Sequence, residues 1–296
     1  MAISYDYYRI FYYVGKYGSF TSAAKILLNN QPNVTRSMNI LEAELGCKLF
    51  YRSRKGVKLT PEGEKLFIHV ESAFKQLQLG ESEIASEKSL SSGRVSIAIS
   101  EIALHGYMLP VLQKYQDAYP GIHIEILNVS TTRGIDAVNH GTVELAVVSS
   151  PTGVIRPLQE TKIQPFRDIL IAGKRFSHLA NKVLSLSDIT KYPLICLGKE
   201  TKTYEFYHNL FDSYGLIFEP TVEAATTDQV IPLVRYDMGI GFVPAELAKD
   251  AISKGDIIKL NLQEEIPERH ICLIWDKSRP LSVAASMLFN MIQSGT

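Results

Sequence analysis

Between Gly18 and Leu45 the apolar positions form two short helical stripes separated by a polar break. Ser19 supplies a hydroxyl cap, and Ala23, Ala24 and Leu27 are small or apolar enough for close packing, which predicts a helix over about Thr21–Leu28. The Asn29-Asn30 pair ends it, since Asn tolerates the left-handed backbone of a helix end, and Pro32 fits the first turn of the next helix. In that second helix, Gln31–Leu45, residues Val34, Met38, Leu41 and Leu45 fall on one face and leave Pro32, Asn33, Arg36 and Asn39 outside. Upstream, Tyr7, Phe11 and Val14 share one face of a helix over residues 5–16 that serves as scaffold. Downstream, residues 50–60 alternate around Arg54-Lys55-Gly56 like a hairpin. From Thr60 as cap and Pro61 as first residue, a pattern through Leu66, Val70, Ala73, Leu77 and Ile84, flanked by Phe67 and Phe74, predicts a helix to about Lys88. So long a seam needs a partner, and pairing with a second copy is the expectation; lying on its own domain is the alternative.

Past the serine-rich stretch 86–93 the period changes to short apolar runs separated by helical ones. Strands are expected at 94–100, 122–129, 144–150, 168–173, 193–198, 220–225, 239–244 and 270–276. Helices are expected at 107–119, 134–139, 204–214, 229–236, 245–252 and 281–292. Such alternation predicts βαβ units, a mostly parallel sheet, and two lobes.

Charge separates the two regions. Residues 1–65 hold ten Lys or Arg against five Asp or Glu, while the chain of 296 residues is neutral overall, so the remainder is acidic. A basic segment around two turn-linked helices is the footprint of a duplex binder. Arg36 and Asn39 have donor and acceptor forks that match base edges. Ser19, Thr21, Gln31, Pro32, Asn33 and Thr35 lie on or beside the same outward face, and Arg52, Arg54 and Lys55 form a basic wing. These eleven residues are the candidate DNA contacts of a helix-turn-helix whose second helix enters the major groove. The expected target is a dyad-symmetric duplex.

With 46% hydrophobic residues the chain can build real cores. No apolar run approaches the roughly 20 residues of a membrane helix, and no charged-then-apolar signal opens the chain, so a cytoplasmic protein without membrane contact is expected. Cys47, Cys196 and Cys272 are far apart and lack CxxC spacing; they read as reduced and structural, with redox sensing as the alternative. No GxSxG, HExxH, P-loop or GxGxxG pattern appears, Gly239-Ile240-Gly241 is too short for a dinucleotide site, and the seven histidines lack metal spacing. No enzyme, cofactor or metal is expected.

The residues Phe11…Gly18-Ser19-Phe20-Thr21…Ala23-Ala24…Leu27, Gln31-Pro32…Val34-Thr35, Leu41-Glu42…Leu45-Gly46…Leu49-Phe50…Arg52 and Leu59-Thr60…Gly63 closely resemble the LysR-type transcriptional regulators. A weaker likeness continues through Gly106…Leu109-Pro110…Leu112…Tyr119-Pro120-Gly121 and Gly141…Glu144-Leu145-Ala146-Val147, with Glu144 where that family more often has Asp. The resemblance implies an N-terminal all-α winged helix-turn-helix with a long linker helix, then an α/β effector domain of two lobes similar to type 2 periplasmic binding proteins. On that reading residues 1–60 bind DNA, 61–89 link and dimerise, and 90–296 bind the effector, with lobe I about 94–164 and 265–296 and lobe II about 165–264. It also implies a homodimer or homotetramer and contact with RNA polymerase.

In open α/β sheets, ligands bind beyond the carboxyl ends of strands. The ends here are rich in hydroxyls: Ser100-Glu101, Thr131, Thr132, Ser149, Thr201, Thr203 and Thr226. They are the candidate small-molecule site, with Ser100 and Thr203 expected to hold a carboxylate or similar anion; Glu101 opposes a simple anion and favours an amino acid or amine, whose ammonium it would pair. A solute-binding receptor without a DNA role is the competing reading; the basic wing argues against it.

Overall fold

The computed structural model describes residues 3–53, 56–86 and 93–295. The chain divides into two compact units: Met1–Ala85 with His140–Thr142, and Ser86–Asn139 with Val143–Thr296.

In the first unit α1 (Tyr5–Tyr17) ends at Gly18, whose φ of 58° is the left-handed conformation glycine takes without strain. Then come α2 (Phe20–Ile26), α3 (Gln31–Leu45), the antiparallel hairpin of β1 (Phe50–Ser53) and β2 (Gly56–Leu59), and α4 (Pro61–Ser86). Phe11, Val14, Ala23, Val34, Met38 and Leu41 fill the core between the first three helices. The turn between α2 and α3 differs from expectation. The left-handed residue is Leu28 (φ 50°), not an asparagine, because both asparagines are used as hydrogen-bond acceptors: Asn29 Oδ1 takes the Asn30 N–H at 2.8 Å, and Asn30 Oδ1 takes the Asn33 N–H at 2.9 Å, capping α3. The helix therefore stops at Ile26, short of the expected Leu28.

Thr60 caps α4 as its sequence implies, its Oγ1 accepting the Gly63 N–H at 3.0 Å. The apolar seam of α4 is only partly free for a second copy. Leu66, Phe67, Val70 and Phe74 pack on the core of the same unit, and Tyr12 stacks on Phe74 with ring centres 4.8 Å apart, whereas Leu77 is half-exposed. The first turns of the seam thus lie on their own domain, because the aromatic face of α1 offers them a closer partner. The expected serine-rich hinge falls largely on residues 87–92, outside the described residues.

The second unit continues with β3 (Gly93–Ile99), α5 (Glu101–Ala103), α6 (Leu109–Ala118), β4 (Ile122–Asn128), α7 (Thr131–Asn139), β5 (Leu145–Ser149) and β6 (Leu158–Phe166). The chain then passes through β7 (Asp168–Ala172), β8 (Val183–Leu184), α8 (Leu186–Ile189), β9 (Leu194–Leu197), α9 (Lys202–Ser213), β10 (Val222–Ala224), α10 (Val230–Arg235), β11 (Ile240–Pro244), α11 (Ala245–Ser253) and β12 (Ile258–Leu262). It closes with β13 (Arg269–Asp276) and α12 (Val283–Ser294). One sheet has the order β4-β3-β5-β13-β6 and the other β10-β9-β11-β7-β12-β8. The two lobes are connected twice, between Phe166 and Asp168 and between Leu262 and Arg269.

The sheets are mixed, not mostly parallel. β13 runs antiparallel to β5 and β6, and β7 antiparallel to β11 and β12. β7 and β13 each enter their sheet from the other lobe, so neither is tied to its neighbours by the helical crossover that sets sequential strands parallel. Residues 158–166 escaped the sequence reading because LQETKIQPF has four consecutive polar residues and no apolar run, whereas IKLNL at 258–262 does alternate as a half-buried strand, a signal that counting only continuous apolar runs passes over. The first helix of lobe I begins directly after Ser100 and runs through a wide turn at Leu104–Met108, earlier than the expected Tyr107. Glu144, the departure from the family pattern, accepts the Ser282 N–H at 2.5 Å and its hydroxyl at 2.8 Å, and so supports the N-terminus of α12.

Candidate nucleic-acid interface and effector cleft

On α3, burial of Val34, Met38 and Leu41 leaves Gln31, Pro32, Asn33, Arg36 and Asn39 exposed, with Thr35 half-buried between them. Ser19 caps α2, its Oγ accepting the Ser22 N–H at 3.2 Å, and exposed Thr21 reaches Gln31 Oε1 at 3.3 Å. Arg36 has no hydrogen-bond or ion-pair partner among the described residues and is free to meet a ligand. Arg52 is not free: its guanidinium lies 4.8 Å over the Phe20 ring and donates to Asn39 Oδ1 at 2.7 Å. Asn39 is therefore engaged on its acceptor side. Arg54 and Lys55 lie outside the described residues.

A buried carboxylate ties the wing to α3. Glu42 Oε1 accepts the backbone N–H of Leu49 at 2.9 Å and of Phe50 at 3.3 Å, while Oε2 takes Lys48 Nζ at 2.8 Å. Burial pushes its pKa up, but the hydrogen bonds from Lys48, Leu49 and Phe50 outweigh that and hold the carboxyl below its ordinary value. The other side of the wing is fixed by the Val57 N–H, which donates to the Gly18 carbonyl at 2.9 Å. One further cation escaped the sequence reading. Exposed Arg9 on α1 lines a groove with Arg36, Asn29 and Asn33. The stripe of Phe11 and Val14 put Arg9 on the outward side of α1, but nothing in the spacing brought it to Arg36.

The cleft of the second unit is narrow, with a volume of about 40 Å³, and gathers Ser100, Glu101, Thr131, Ser149, Thr201, Thr203 and Thr226 from both lobes. Thr132 does not line it. The hydroxyls differ in what they can still do. Thr131 is spent on the Ser149 carbonyl at 2.8 Å and Thr201 on the Gly198 carbonyl at 2.8 Å. Ser100 Oγ accepts the Ala103 N–H at 3.4 Å and Thr203 Oγ1 accepts from Arg269 at 3.0 Å, so each keeps a hydrogen to donate. Glu101 is turned to local partners, His105 Nε2 and Asn128 Nδ2, both at 2.8 Å, which weakens its objection to an anion.

The centre of this region is a residue the sequence reading passed over. Arg269, at the start of β13, is fully buried between the rings of Phe166 and Phe206, 5.2 Å and 4.9 Å away. Its Nη1 donates to Asp168 Oδ2 at 3.0 Å, its Nε to the Ser150 carbonyl at 2.8 Å, and its Nη2 to Ser149 and Thr203. Tyr207 donates to the same Asp168 oxygen at 2.6 Å; burial first, then the Asp168 charge, push its phenol well above the ordinary value. A charged residue opening each of two apolar strands, Asp168 before ILIA and Arg269 before HICLIWD, was the available signal. It could not be read as a pair because 101 residues separate them.

A winged helix-turn-helix unit joined to a two-lobed α/β unit with a polar cleft defines a ligand-responsive DNA-binding transcriptional regulator. Residues 5–64 match the family described as "Bacterial regulatory helix-turn-helix protein, lysR family", and residues 88–296 match "LysR substrate binding domain". The chain belongs to the LysR family of transcriptional regulators. Among curated relatives it is 23% identical to the regulator YofA of Bacillus velezensis over 97% of this chain and 96% of that one. To AlsR of Bacillus subtilis it is 26% identical, over 84% and 85%. The fold is shared with CbnR solved in complex with its target DNA, at a TM-score of 0.72, 18% identity, and coverage of 99% of this chain and 100% of that one. Among the described residues no cluster of His, Cys, Asp and Glu could hold a metal, and no helix is long and apolar enough to cross a membrane.

Proposed function

We propose that the protein acts as a cytoplasmic homodimer, able to assemble further into a homotetramer, that reads a dyad-symmetric operator and adjusts transcription through RNA polymerase when a small acid occupies its cleft. The observation that carries the DNA reading is the outward face of α3, where Gln31, Pro32, Asn33 and unpartnered Arg36 stand exposed over a packed inner face. Arg36 reads a base edge; Ser19, Thr21 and Thr35 suit phosphate oxygens, and Arg52, Arg54 and Lys55 with Arg9 add sequence-independent attraction. Half-exposed Leu77 on α4 supports pairing of two copies, which sets two recognition helices one helical turn of DNA apart. In the cleft, Ser100 and Thr203 donate to the carboxylate of the effector. Effector binding biases the dimer between two arrangements by its differential affinity for them.

Footprinting with and without effector tests the mechanism: the protected length or the bend changes on binding, and identical footprints with unchanged transcription refute it. Arg36→Ala costs about 1–3 kcal/mol of operator affinity and relaxes specificity, whereas Arg9→Ala weakens all duplexes alike and lowers the salt slope. A salt slope unchanged in Arg9→Ala removes Arg9 from the interface.

A further inference from the structure

We infer that the inner end of the cleft receives an uncharged hydrogen-bond donor of the effector, which makes a small hydroxy acid the class of ligand that fits; this rests on the effector reading above. Behind the cleft lies a small chamber of about 10 Å³, room for one hydroxyl-sized group, lined by Asp168, Tyr207, Phe242 and Arg269. It shares Ile102, Leu197, Thr203 and Thr227 with the cleft, so the two lie against each other. The Asp168 side chain is wholly buried. Its Oδ2 is saturated by Tyr207 and Arg269, but its Oδ1 has no partner among the described residues. A buried carboxylate oxygen without a donor is costly, and a ligand N–H or O–H placed there recovers that cost.

The donor is uncharged because the charge at this point is already balanced. Arg269 lies 3.0 Å from the same carboxylate. Its Ser150, Ser149 and Thr203 hydrogen bonds and two flanking rings hold it in place. An ammonium at Oδ1 would add a second cation beside a fixed guanidinium with one carboxylate between them. Toward the mouth, the spare hydrogens of Ser100 and Thr203 meet an anionic oxygen. An acid group outside and a hydroxyl inside describe the ligand.

The test is calorimetric titration and thermal shift of the full chain with matched triads: lactate, propionate and alanine; malate, succinate and aspartate. A wider panel of a few hundred metabolites accompanies them. The hydroxy acid of a triad, or a panel hit bearing a neutral donor, binds about tenfold or more tighter than its counterpart lacking the donor or carrying an ammonium. That advantage collapses in Asp168→Asn. The pair Asp168→Leu with Arg269→Met, which leaves no buried charge unpaired, serves where the single variant does not fold, and there too the advantage is lost. Equal binding of hydroxy and deoxy acids, tighter binding of the amino acid, or an advantage that survives both variants overturns the inference while leaving effector binding intact. If no compound of the panel changes the melting temperature or the operator footprint, the effector reading itself falls, and this inference with it.

Discussion

Glu42→Ala probes the joint between recognition helix and wing. The carboxylate is buried and serves two backbone donors of the segment entering β1, Leu49 N–H at 2.9 Å and Phe50 N–H at 3.3 Å. Each buried donor left without an acceptor costs about 1–3 kcal/mol; the Phe50 bond is long, and removing a buried charge returns part of the loss. A net cost of about 2 kcal/mol for opening the wing follows, which at about 1.4 kcal/mol per factor of ten is roughly 30-fold in the opening equilibrium. Hydrogen exchange reads this locally: peptides covering residues 47–52 exchange about 30-fold faster, while those of β3 and β5 are unchanged. Exchange at the wild-type rate refutes the reasoning. The same carboxyl predicts a pH effect. Since its folded pKa lies below the ordinary 4.5, its stabilisation is present above that value and is lost as pH falls through the lowered folded pKa. Glu42→Gln removes this acid-side loss, and a variant that retains the wild-type acid profile places the titration elsewhere.

Gly63→Ala drives a β-carbon into the Leu49 carbonyl oxygen, so α4 must shift away from the wing. A cost of about 1–3 kcal/mol is expected, lowering the melting temperature of the N-terminal unit by about 4–8 °C per kcal/mol; an unchanged transition contradicts the close approach. Arg269→Ala strands Asp168 and costs about 3–5 kcal/mol in urea unfolding, whereas Asp168→Leu with Arg269→Met restores most of it; equal loss in both means that the ion pair is not the source. Cys196 and Cys272 resist iodoacetamide in the folded protein at pH 8 while half-exposed Cys47 reacts. Burial pushes the Cys196 thiol to about 12, and burial with the neighbouring Glu160 raises Cys272 as well. Mass mapping that finds Cys196 alkylated before unfolding refutes this.

Local signals carried much of the chain. Ser19, Thr60 and Pro61 act within three residues of themselves, and the stripe of Val34, Met38 and Leu41 follows from helical period alone, so α3, the cap of α4 and the outward face with Arg36 were legible. The strand ends bearing Ser100, Ser149 and Thr203 were legible for the same reason: an apolar run that stops is visible without its neighbours. What the sequence could not specify is pairing across distance. Tertiary contacts decided that Phe67 and Phe74 serve their own domain and that β6 and β12 are strands despite their polar residues. They also set Arg52 on Asn39, and joined Arg269 to Asp168 at the floor of the cleft. The physical reason is that burial and charge pairing depend on which surfaces meet, and an arginine that looks solvated at a strand start becomes the largest fully buried side chain among the described residues only when both lobe connections close around it.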